Sequence, residues 1–451
     1  MPSDCDSPPH PLQQVLAAWH GTLQALAAVA LPVFLAGYSC MINNGLHFAW
    51  LLLAGMAALA CTDWRRELPL LLRDRLLMLA LVFLGWMTLR SSLVRGGADQ
   101  ALLAEALRGL FGLGTLVLFS LLVWVRAPRA MQLRHAGALL GHVSLVAALV
   151  SVVVFYFFLP GHMLGERLTN LFVYGGLNAV CTGLVFGFAG LWLNCQGEHL
   201  RTSRERRWNA CAVAVLFLAT FFTESRGAAL ALACGHVGLL LGRGWRRGLA
   251  PGALFVGTAA LYLLMTPLVA HFGQLQIRAR LPAAVSAAMP ALASVPLEMA
   301  SPVRHLVQRG DSGRLHIYEA GLAAMPHLRQ HLIGIGQWGT KEQWFRLLPR
   351  ADPLMSHLHS AFLATYVHGG AVGASLLLAV LAWAFRRAKT LASFGDATWL
   401  ALLAHGCGGL LFDGETMCSL ASQPRFEALI LWFPLVAASS VYQHRYRPGL
   451  R

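Results

Sequence analysis

The amino-acid sequence predicts an all-α, polytopic membrane protein of about twelve transmembrane helices. Of its 451 residues, 57% are hydrophobic and only 12% are charged. A soluble protein of this length could not bury so much apolar surface, so the bilayer must be part of its solvent. Apolar runs close to the ~20 residues needed to cross the hydrocarbon recur along the whole chain. They lie near 20–39, 46–61, 74–92, 107–125, 136–159, 174–195, 208–223, 227–242, 248–270, 359–385, 396–412 and 427–443.

The charges between these runs predict the orientation of the chain. Short arginine-rich segments carry about 20 of the 35 lysine and arginine residues, and the positive-inside rule places such segments in the cytoplasm. With twelve spans, both the N-terminal tail (1–19) and the basic C-terminal tail (444–451) are then cytoplasmic. Residues 1–19 lack the basic start of a secretory signal.

Two other classes of protein fit the composition poorly. The net charge of +15 is spread over short loops and is not interleaved with aromatic residues in one patch, so we do not expect a nucleic-acid partner. The nine cysteines lie mostly in or beside apolar runs without paired CxxC spacing. They are interpreted as small buried hydrophobic residues and not as a disulfide or zinc framework.

One loop differs from all the others. Residues 271–358 separate spans one to nine (20–270) from spans ten to twelve (359–443), and lie on the face opposite the arginine-rich loops. The loop is basic, although a loop of about 88 residues crosses the membrane largely regardless of its charge. Its charge therefore indicates either attraction to anionic lipid headgroups or an anionic substrate. Its sequence is rich in alanine and interrupted by prolines, which predicts short helices lying on the membrane.

Arg226 is the first candidate site residue. It lies in "FFTESRGAALALA", in the short turn between the seventh and eighth spans, and the predicted topology puts it on the outer face at the edge of the hydrocarbon. It could be a snorkelling side chain that fixes a helix end. An ionisable group at membrane depth is nevertheless a functional hypothesis by default.

Arg314 is the second candidate, in "GDSGRLHIYEAG", which is followed by "LIGIGQWG". Asp311 or Ser312 can cap a helix that places Arg314 in its first turn. A cation there opposes the helix dipole, so it is either a solvated side chain or, with the helix N–H groups, a binding group for an anion. We expect this helix to end near "LIGIGQWG", where glycines such as Gly336 allow close backbone approach.

The third candidate is His359, in "SHLHSAFLATYVHGGAVG" at the outward end of the tenth span. It could be an interfacial histidine or a proton-transfer group, and His357 would point elsewhere on a helix. Gly370 and Gly373 share one helix face, where they would let another helix pack closely. His316 and Glu319 are spaced like a pair of metal ligands, but no second pair follows, so we expect no metal and no cofactor.

These motifs, in this order and on this topology, resemble the bacterial O-antigen ligase and polymerase superfamily of membrane glycosyltransferases. The family pattern has an SRG arginine, an SGR loop followed by a glycine turn, and a histidine with glycines eleven and fourteen residues later, the spacing of Gly370 and Gly373 from His359. Ser360 stands where the family commonly has asparagine, and His331 where it often has proline.

The resemblance implies transfer of a glycan from undecaprenyl pyrophosphate to an acceptor hydroxyl at the periplasmic face of the inner membrane. Arg226 and Arg314 would bind the pyrophosphate, and His359 would be the general base or position the acceptor. Attack would invert the anomeric carbon without a metal. Four further residues are possible supporting groups: Ser360, His357, Tyr318 and Gly336.

Several functions remain open at this stage. An O-antigen ligase, with lipid A-core as acceptor, is favoured over a polymerase, since polymerases often have two large external loops. Protein O-oligosaccharyltransferases tend to be longer, with an added C-terminal region. A transporter or flippase would place charged groups near the middle of its spans, and the sequence has no acidic residue there. Membrane lipids are expected partners in each case.

Overall fold

The computed structural model describes residues 11–93, 99–128, 130–159, 162, 164–172, 178–280, 314–337, 357–414 and 425–446. All regular structure within these residues is helical, as predicted. The helices are α1 Pro11–Cys40, α2 Asn44–Ala60, α3 Trp64–Leu72, α4 Arg75–Leu93, α5 Asp99–Arg126, α6 Ala130–Val153, α7 Ala179–Gln196, α8 Ser203–Phe222, α9 Arg226–Arg243, α10 Trp245–Arg280, α11 Arg314–Ala323, α12 Leu328–Ile333, α13 Ala361–Ser393, α14 Thr398–Leu410 and α15 Phe433–Val441. A π-helical segment, Val154–Phe158, extends α6, and two more, Ala428–Trp432 and Tyr442–Tyr446, flank α15.

Long apolar helices make this a multi-pass membrane protein. Among the described residues, five helices are long and apolar enough to cross a membrane, and the number rises to six if α2 and α3 form one bent span. The five are Gly21–Cys40, Gln132–Phe158, Ala179–His199, Trp245–Gly273 and Ala361–Ser393. The number of twelve spans stays a prediction.

The segment after α2 was expected to be a short loop, but it forms a helix. The α3 axis turns by 107° from α2, and Asp63 caps α3 by accepting a hydrogen bond from the Arg65 N–H at 3.2 Å. An acidic cap at a helix start stabilises the first turn. The arginines of this segment are therefore held on an ordered element.

Small residues bring α9 and α14 into close contact. A Cβ atom added at Gly238 would lie 2.9 Å from the Leu400 carbonyl oxygen, and one at Gly408 would lie 3.0 Å from Cys234 Cβ. At the other end of the pair, Gly227 faces Phe412. Since the two helices run antiparallel, the beginning of α9 and the residues after α14 lie at the same end of the molecule.

Helix α13 is broken in its middle, which corrects one prediction. Gly370 has φ 66° and ψ −166°, outside the helical region, so Gly370 and Gly373 do not share one continuous helix face. The turn around Gly334 (φ 75°) packs directly onto the backbone at this break, where neither glycine has room for a Cβ. Trp86 of α4 donates a 2.8 Å hydrogen bond to the Gly369 carbonyl. The break is thus a docking point for a turn of the large loop.

The single helix predicted from Gly313 to the glycine turn is two helices, α11 and α12. The chain leaves the helix between Ala324 and His327, on either side of Pro326. Proline disfavours helical backbone at the residue before it and removes a hydrogen-bond donor, which explains the interruption. The predicted capping residues Asp311 and Ser312 lie outside the described residues.

Candidate functional site

His359 lies just before α13 and not in its first turn, contrary to the prediction. The helix begins at Ala361, and the Ser360 hydroxyl caps it by accepting the Leu363 N–H at 3.3 Å. His359 itself has φ 48°. Within the described residues, Glu224 is the only other non-glycine residue with positive φ. Residues other than glycine adopt a positive φ at an energetic cost, and such backbone strain is concentrated at functional sites.

Asp413 faces His359 from the residues that follow α14. The His359 Nδ1 lies 3.7 Å from the Asp413 Oδ1, an electrostatic contact longer than a hydrogen bond. The Gly414 N–H donates to the same oxygen at 2.8 Å, and the Ala361 N–H donates to the Asp413 backbone carbonyl at 3.2 Å. Because the His359 side chain is 25% exposed and that of Asp413 only 4%, the carboxylate lies behind the imidazole.

The surroundings of Asp413 keep it ionised. Burial raises the pKa of this carboxyl, but the His359 side chain, the Gly414 N–H and the charge of the two nearby histidines lower it by more, so the pKa lies below its ordinary value. A carboxylate behind an imidazole orients the ring and stabilises the imidazolium that forms when the ring takes a proton.

His357 lies beside His359, which corrects another prediction. The two ring centroids are 3.9 Å apart, and the His359 backbone N–H donates to His357 Nδ1 at 3.1 Å. The expectation that His357 points elsewhere assumed a helix, but neither residue is helical. The left-handed backbone at His359 folds the two rings onto each other.

His357, His359 and Asp413 also have the spacing of a cation site. One ligand atom from each lies within 4.8 Å of the others, and imidazole nitrogen with carboxylate oxygen is a common donor set for divalent metals. The pair considered from the sequence, His316 and Glu319, is exposed on α11 and is not part of this cluster. The expectation that no metal is used stays a prediction.

Helix α11 brings Tyr318 and Arg314 to the same end of α13. The Tyr318 hydroxyl donates to the His359 carbonyl oxygen at 3.4 Å, and Arg314 lies one turn earlier on the helix. Burial raises the pKa of the Tyr318 hydroxyl, Arg314 opposes that rise, and Asp413 adds to it. These electrostatic influences join Arg314, Tyr318 and Asp413 in one neighbourhood.

A small apolar cluster holds α11 in this position. Buried side chains of α11, the turns after α11 and α12, the histidine segment and α13 pack together, separately from the main core. They are Ile317, Ala320, Ala324, Met325, Ile335, Leu358, Ala364 and Val367. Burial of apolar area in this cluster fixes the helix that carries Arg314 against the end of α13 that carries His359.

Arg226 opens α9 and is exposed. Ser225 caps the helix by accepting the Ala228 N–H at 3.2 Å. Because a Cβ atom added at the next residue, Gly227, would lie 3.5 Å from Phe412 Cβ, the Arg226 turn adjoins the segment that carries Asp413. All three motif residues, Arg226, Arg314 and His359, are therefore attached to elements that meet at one end of the helical bundle.

Gly336 lies away from this histidine end. The neighbouring Ile335 N–H donates to the Val367 carbonyl at 2.9 Å, which is about 10 Å along α13 from Ser360 at 1.5 Å per residue. Arg90 of α4 donates to the carbonyls of Ile333 and Gly334, both at 2.8 Å. The glycine turn thus anchors the large loop to the bundle and does not adjoin the His359 ring.

Two residues of this region were missed in the sequence. Asp413 follows the eleventh predicted span, and the predicted topology already put the end of that span on the same face as His359. Arg167 donates from Nε to the Thr223 carbonyl at 3.0 Å, next to the strained Glu224 and close to Arg226. Its segment also pairs with α8 through a 3.0 Å bond from the Leu168 N–H to the Phe222 carbonyl, and no sequence pattern signals that contact.

Comparison with known families identifies one segment of the chain. Residues 211–378 match the family described as O-Antigen ligase, so this segment is similar to that family, as the motifs predicted. The match runs from α8 into α13 and includes Arg226, Arg314 and His359; Arg167 and Asp413 lie outside it. No curated protein matches the chain significantly.

Proposed function

We propose that the protein is an O-antigen ligase that transfers a glycan from undecaprenyl pyrophosphate to a sugar hydroxyl of lipid A-core in lipopolysaccharide biosynthesis. The observation that carries the proposal is the pairing of His359 with buried Asp413, at the end of α13 against which α11 brings Arg314. A base backed by a carboxylate, beside an arginine suited to phosphate, matches the two chemical needs of this transfer.

His359 is the proposed general base. With Nδ1 turned to Asp413, Nε2 takes the proton of the acceptor hydroxyl while that oxygen attacks the anomeric carbon of the donor glycan. The bond between the anomeric carbon and the pyrophosphate oxygen breaks, its electron pair stays on the leaving pyrophosphate, and the configuration inverts. General-base assistance of this kind contributes about 10²–10⁴-fold in rate.

Arg226 and Arg314 are the proposed pyrophosphate ligands. Guanidinium groups bind phosphate oxygens through paired, charge-assisted hydrogen bonds, and they act where negative charge grows on the leaving group. Arg167 is a proposed positioning residue, because its hydrogen bond to the Thr223 carbonyl supports the turn before Arg226. Ser360 has a similar role, since its cap fixes the start of α13 next to His359.

The proposed topology has twelve spans, both termini in the cytoplasm, and residues 271–358 in the periplasm of the bacterial inner membrane. Two features support it. The arginine-rich loops fall on one side of the predicted spans. The residues proposed for catalysis cluster at the opposite end of the bundle, where a lipid-linked donor in the outer leaflet and lipid A-core would both have access.

The test is the lipopolysaccharide of a strain that lacks the gene, complemented with the wild-type protein. We expect the deletion to leave polymer on the undecaprenyl carrier and none on lipid A-core, and the wild-type gene to restore it. Core carrying single repeat units in the deletion strain would instead indicate a polymerase. Unchanged lipopolysaccharide would reject both functions and direct attention to protein acceptors or to transport.

An assay with purified components then separates chemistry from expression. Wild-type protein in vesicles should transfer a carrier-linked glycan to purified lipid A-core. Arg314→Gln should lower the rate strongly, because it removes a proposed phosphate ligand. Arg329→Gln, an exposed arginine of α12, is the matched control and should transfer at the wild-type rate. Equal losses in the two variants would contradict a specific role for Arg314.

A further inference from the structure

An apolar cavity lies far from the histidine end, between α3, α4, α5 and the π-helical segment before α15. Its volume is about 290 Å³, and its walls include Leu68, Leu81, Trp124 and Trp432. Small-molecule sites usually span about 300–1,000 Å³. The cavity is therefore at the lower limit of that range and suits one slender apolar chain.

The cavity opens toward the hydrocarbon side of the protein. Two of its wall residues are also large exposed hydrophobic residues, Leu68 on α3 at 47% and Leu81 on α4 at 41%. In a membrane protein such side chains face lipid, because exposure to water would be costly. A hydrocarbon chain can therefore enter between α3 and α4 directly from the bilayer.

Arginines surround this entrance. Four exposed arginines flank or belong to α3: Arg65, Arg66, Arg73 and Arg75. The nearby acidic side chains are already engaged. Asp63 caps α3, Glu67 pairs with His444 at 2.7 Å, and Asp74 is buried in a bond with Arg387. The outward charge at the entrance is thus positive.

We infer that this cavity binds one acyl chain of an anionic glycerophospholipid, whose phosphate contacts the arginines that flank α3. The helix supports this geometry, because α3 turns 107° away from α2 and combines an apolar face with basic residues, as helices at the membrane interface do. Basic residues near the surface attract anionic lipids. The site does not depend on the proposed transferase function.

Photo-crosslinking tests the inference with the full-length protein in vesicles. The probe is phosphatidylglycerol with a photoreactive diazirine near the end of one acyl chain, in vesicles of phosphatidylcholine. We expect crosslinks in the peptides that contain Leu77–Leu84 and Val117–Trp124, and competition by unlabelled phosphatidylglycerol. Crosslinks spread evenly over the lipid-facing helices would overturn the inference.

Two kinds of variant locate the contacts. Arg65→Gln with Arg66→Gln should weaken binding of the probe roughly five-fold for each charge removed. Arg204→Gln with Arg206→Gln removes two exposed arginines at the start of α8 and should leave crosslinking unchanged. Ala80→Phe should fill the cavity and abolish crosslinking, whereas the same change at exposed Ala260 of α10 should not. The arginine variants decide the question if Ala80→Phe does not fold.

Competitors identify the occupant. Inorganic phosphate should compete weakly, because it reproduces only the headgroup. If phosphatidylcholine displaces the probe as well as phosphatidylglycerol does, the claim of an anionic lipid is wrong. If undecaprenyl phosphate displaces the probe at concentrations far below those that phosphatidylglycerol requires, the cavity holds the carrier's prenyl chain and the inference is overturned.

Discussion

Near each end of α13, a basic side chain pairs with an aspartate. The two pairs differ in their burial, in the distance between the partners and in the other hydrogen bonds of the aspartate. At the C-terminal end, Arg387 binds Asp74, whose side chain is fully buried. Ser439 and Gln443 donate to the same carboxylate oxygen at 2.6 and 3.0 Å, while the other oxygen caps α4. At the N-terminal end, His359 and Asp413 are 3.7 Å apart, and the histidine has positive φ and a partly exposed ring.

The difference separates a structural ion pair from one suited to chemistry. Every oxygen of Asp74 has partners on α4, α13 or α15, so this pair fixes three helices together and offers nothing to a substrate. The His359 pair has a buried side and an open side, and an imidazole can both accept and donate a proton. A loose, strained and accessible pair is what a proton-transfer site requires.

Removing the imidazole should produce the largest effect. We expect His359→Ala to lower the rate of glycan transfer by about 10²–10⁴-fold, the usual contribution of a general base, with little change in thermal stability because the ring is partly exposed. His316→Ala, on exposed α11, should keep the wild-type rate. Transfer by His359→Ala at the wild-type rate would remove this histidine from the mechanism.

Breaking the buried pair of Arg387 and Asp74 should lower the stability of the protein, whereas His359→Ala should lower its rate of transfer. Asp74→Asn leaves Arg387 buried without its counter-charge, and breaking such a pair costs about 3–5 kcal/mol of stability. The thermal midpoint of the detergent-purified protein should fall clearly. In contrast, Glu198→Gln, which disrupts a half-exposed contact with Arg243, should change the midpoint little. Similar midpoints for the two variants would contradict the structural role given to Asp74.

Asp413→Asn should reduce transfer by less than the loss of His359. An uncharged amide cannot stabilise the imidazolium. The hydrogen bond that the carboxylate would make to the ring as it takes the proton is worth about 1.5–3 kcal/mol, or roughly 10–150-fold. Glu319→Gln, exposed on α11, is the matched control.

The pH dependence sharpens this third prediction. Because the pKa of Asp413 is lowered, its carboxylate contributes at all pH values above the ordinary carboxyl range and is lost only as pH falls through that lowered pKa. The wild-type rate should therefore exceed the Asp413→Asn rate at every pH between 6 and 9. Equal rates at the acid end of this range would mean that Asp413 itself titrates during the assay.

The sequence was sufficient to predict the helical membrane class and the family segment, because both depend on local sequence patterns. These patterns are the apolar runs and the motifs around Arg226, Arg314 and His359. It misplaced the backbone at His359 and Gly370. Ser360 was available as a cap, but its choice as the helix start depends on the Asp413 segment that bonds the Ala361 N–H. The break at Gly370 depends on the turn at Gly334, a contact that no local pattern encodes.

Of the predicted supporting residues, one was placed correctly from the sequence and one was not. Tyr318 was named beside Arg314, and the structure places its hydroxyl on the His359 carbonyl. Gly336 was named for the same site, yet it belongs to the anchor on mid-α13. Residues on one regular helix can be assigned to a common face from their spacing, whereas the register between a loop and a helix is fixed by packing across long sequence distances.

The smallest expected effect is that of a chelator, and it tests what the histidine cluster is. EDTA should leave transfer unchanged, because the proposed mechanism uses arginines where other enzymes use a cation. His357 Nδ1 already accepts the His359 N–H, so a metal would have to bind this ring through Nε2. Transfer that is lost in EDTA and restored by one divalent ion would make His357, His359 and Asp413 a metal centre. His359 and Asp413 would then be metal ligands and not a proton-transfer pair. The two ends of α13 would differ in the cation that the carboxylate binds, which is a metal ion at Asp413 and the Arg387 guanidinium at Asp74.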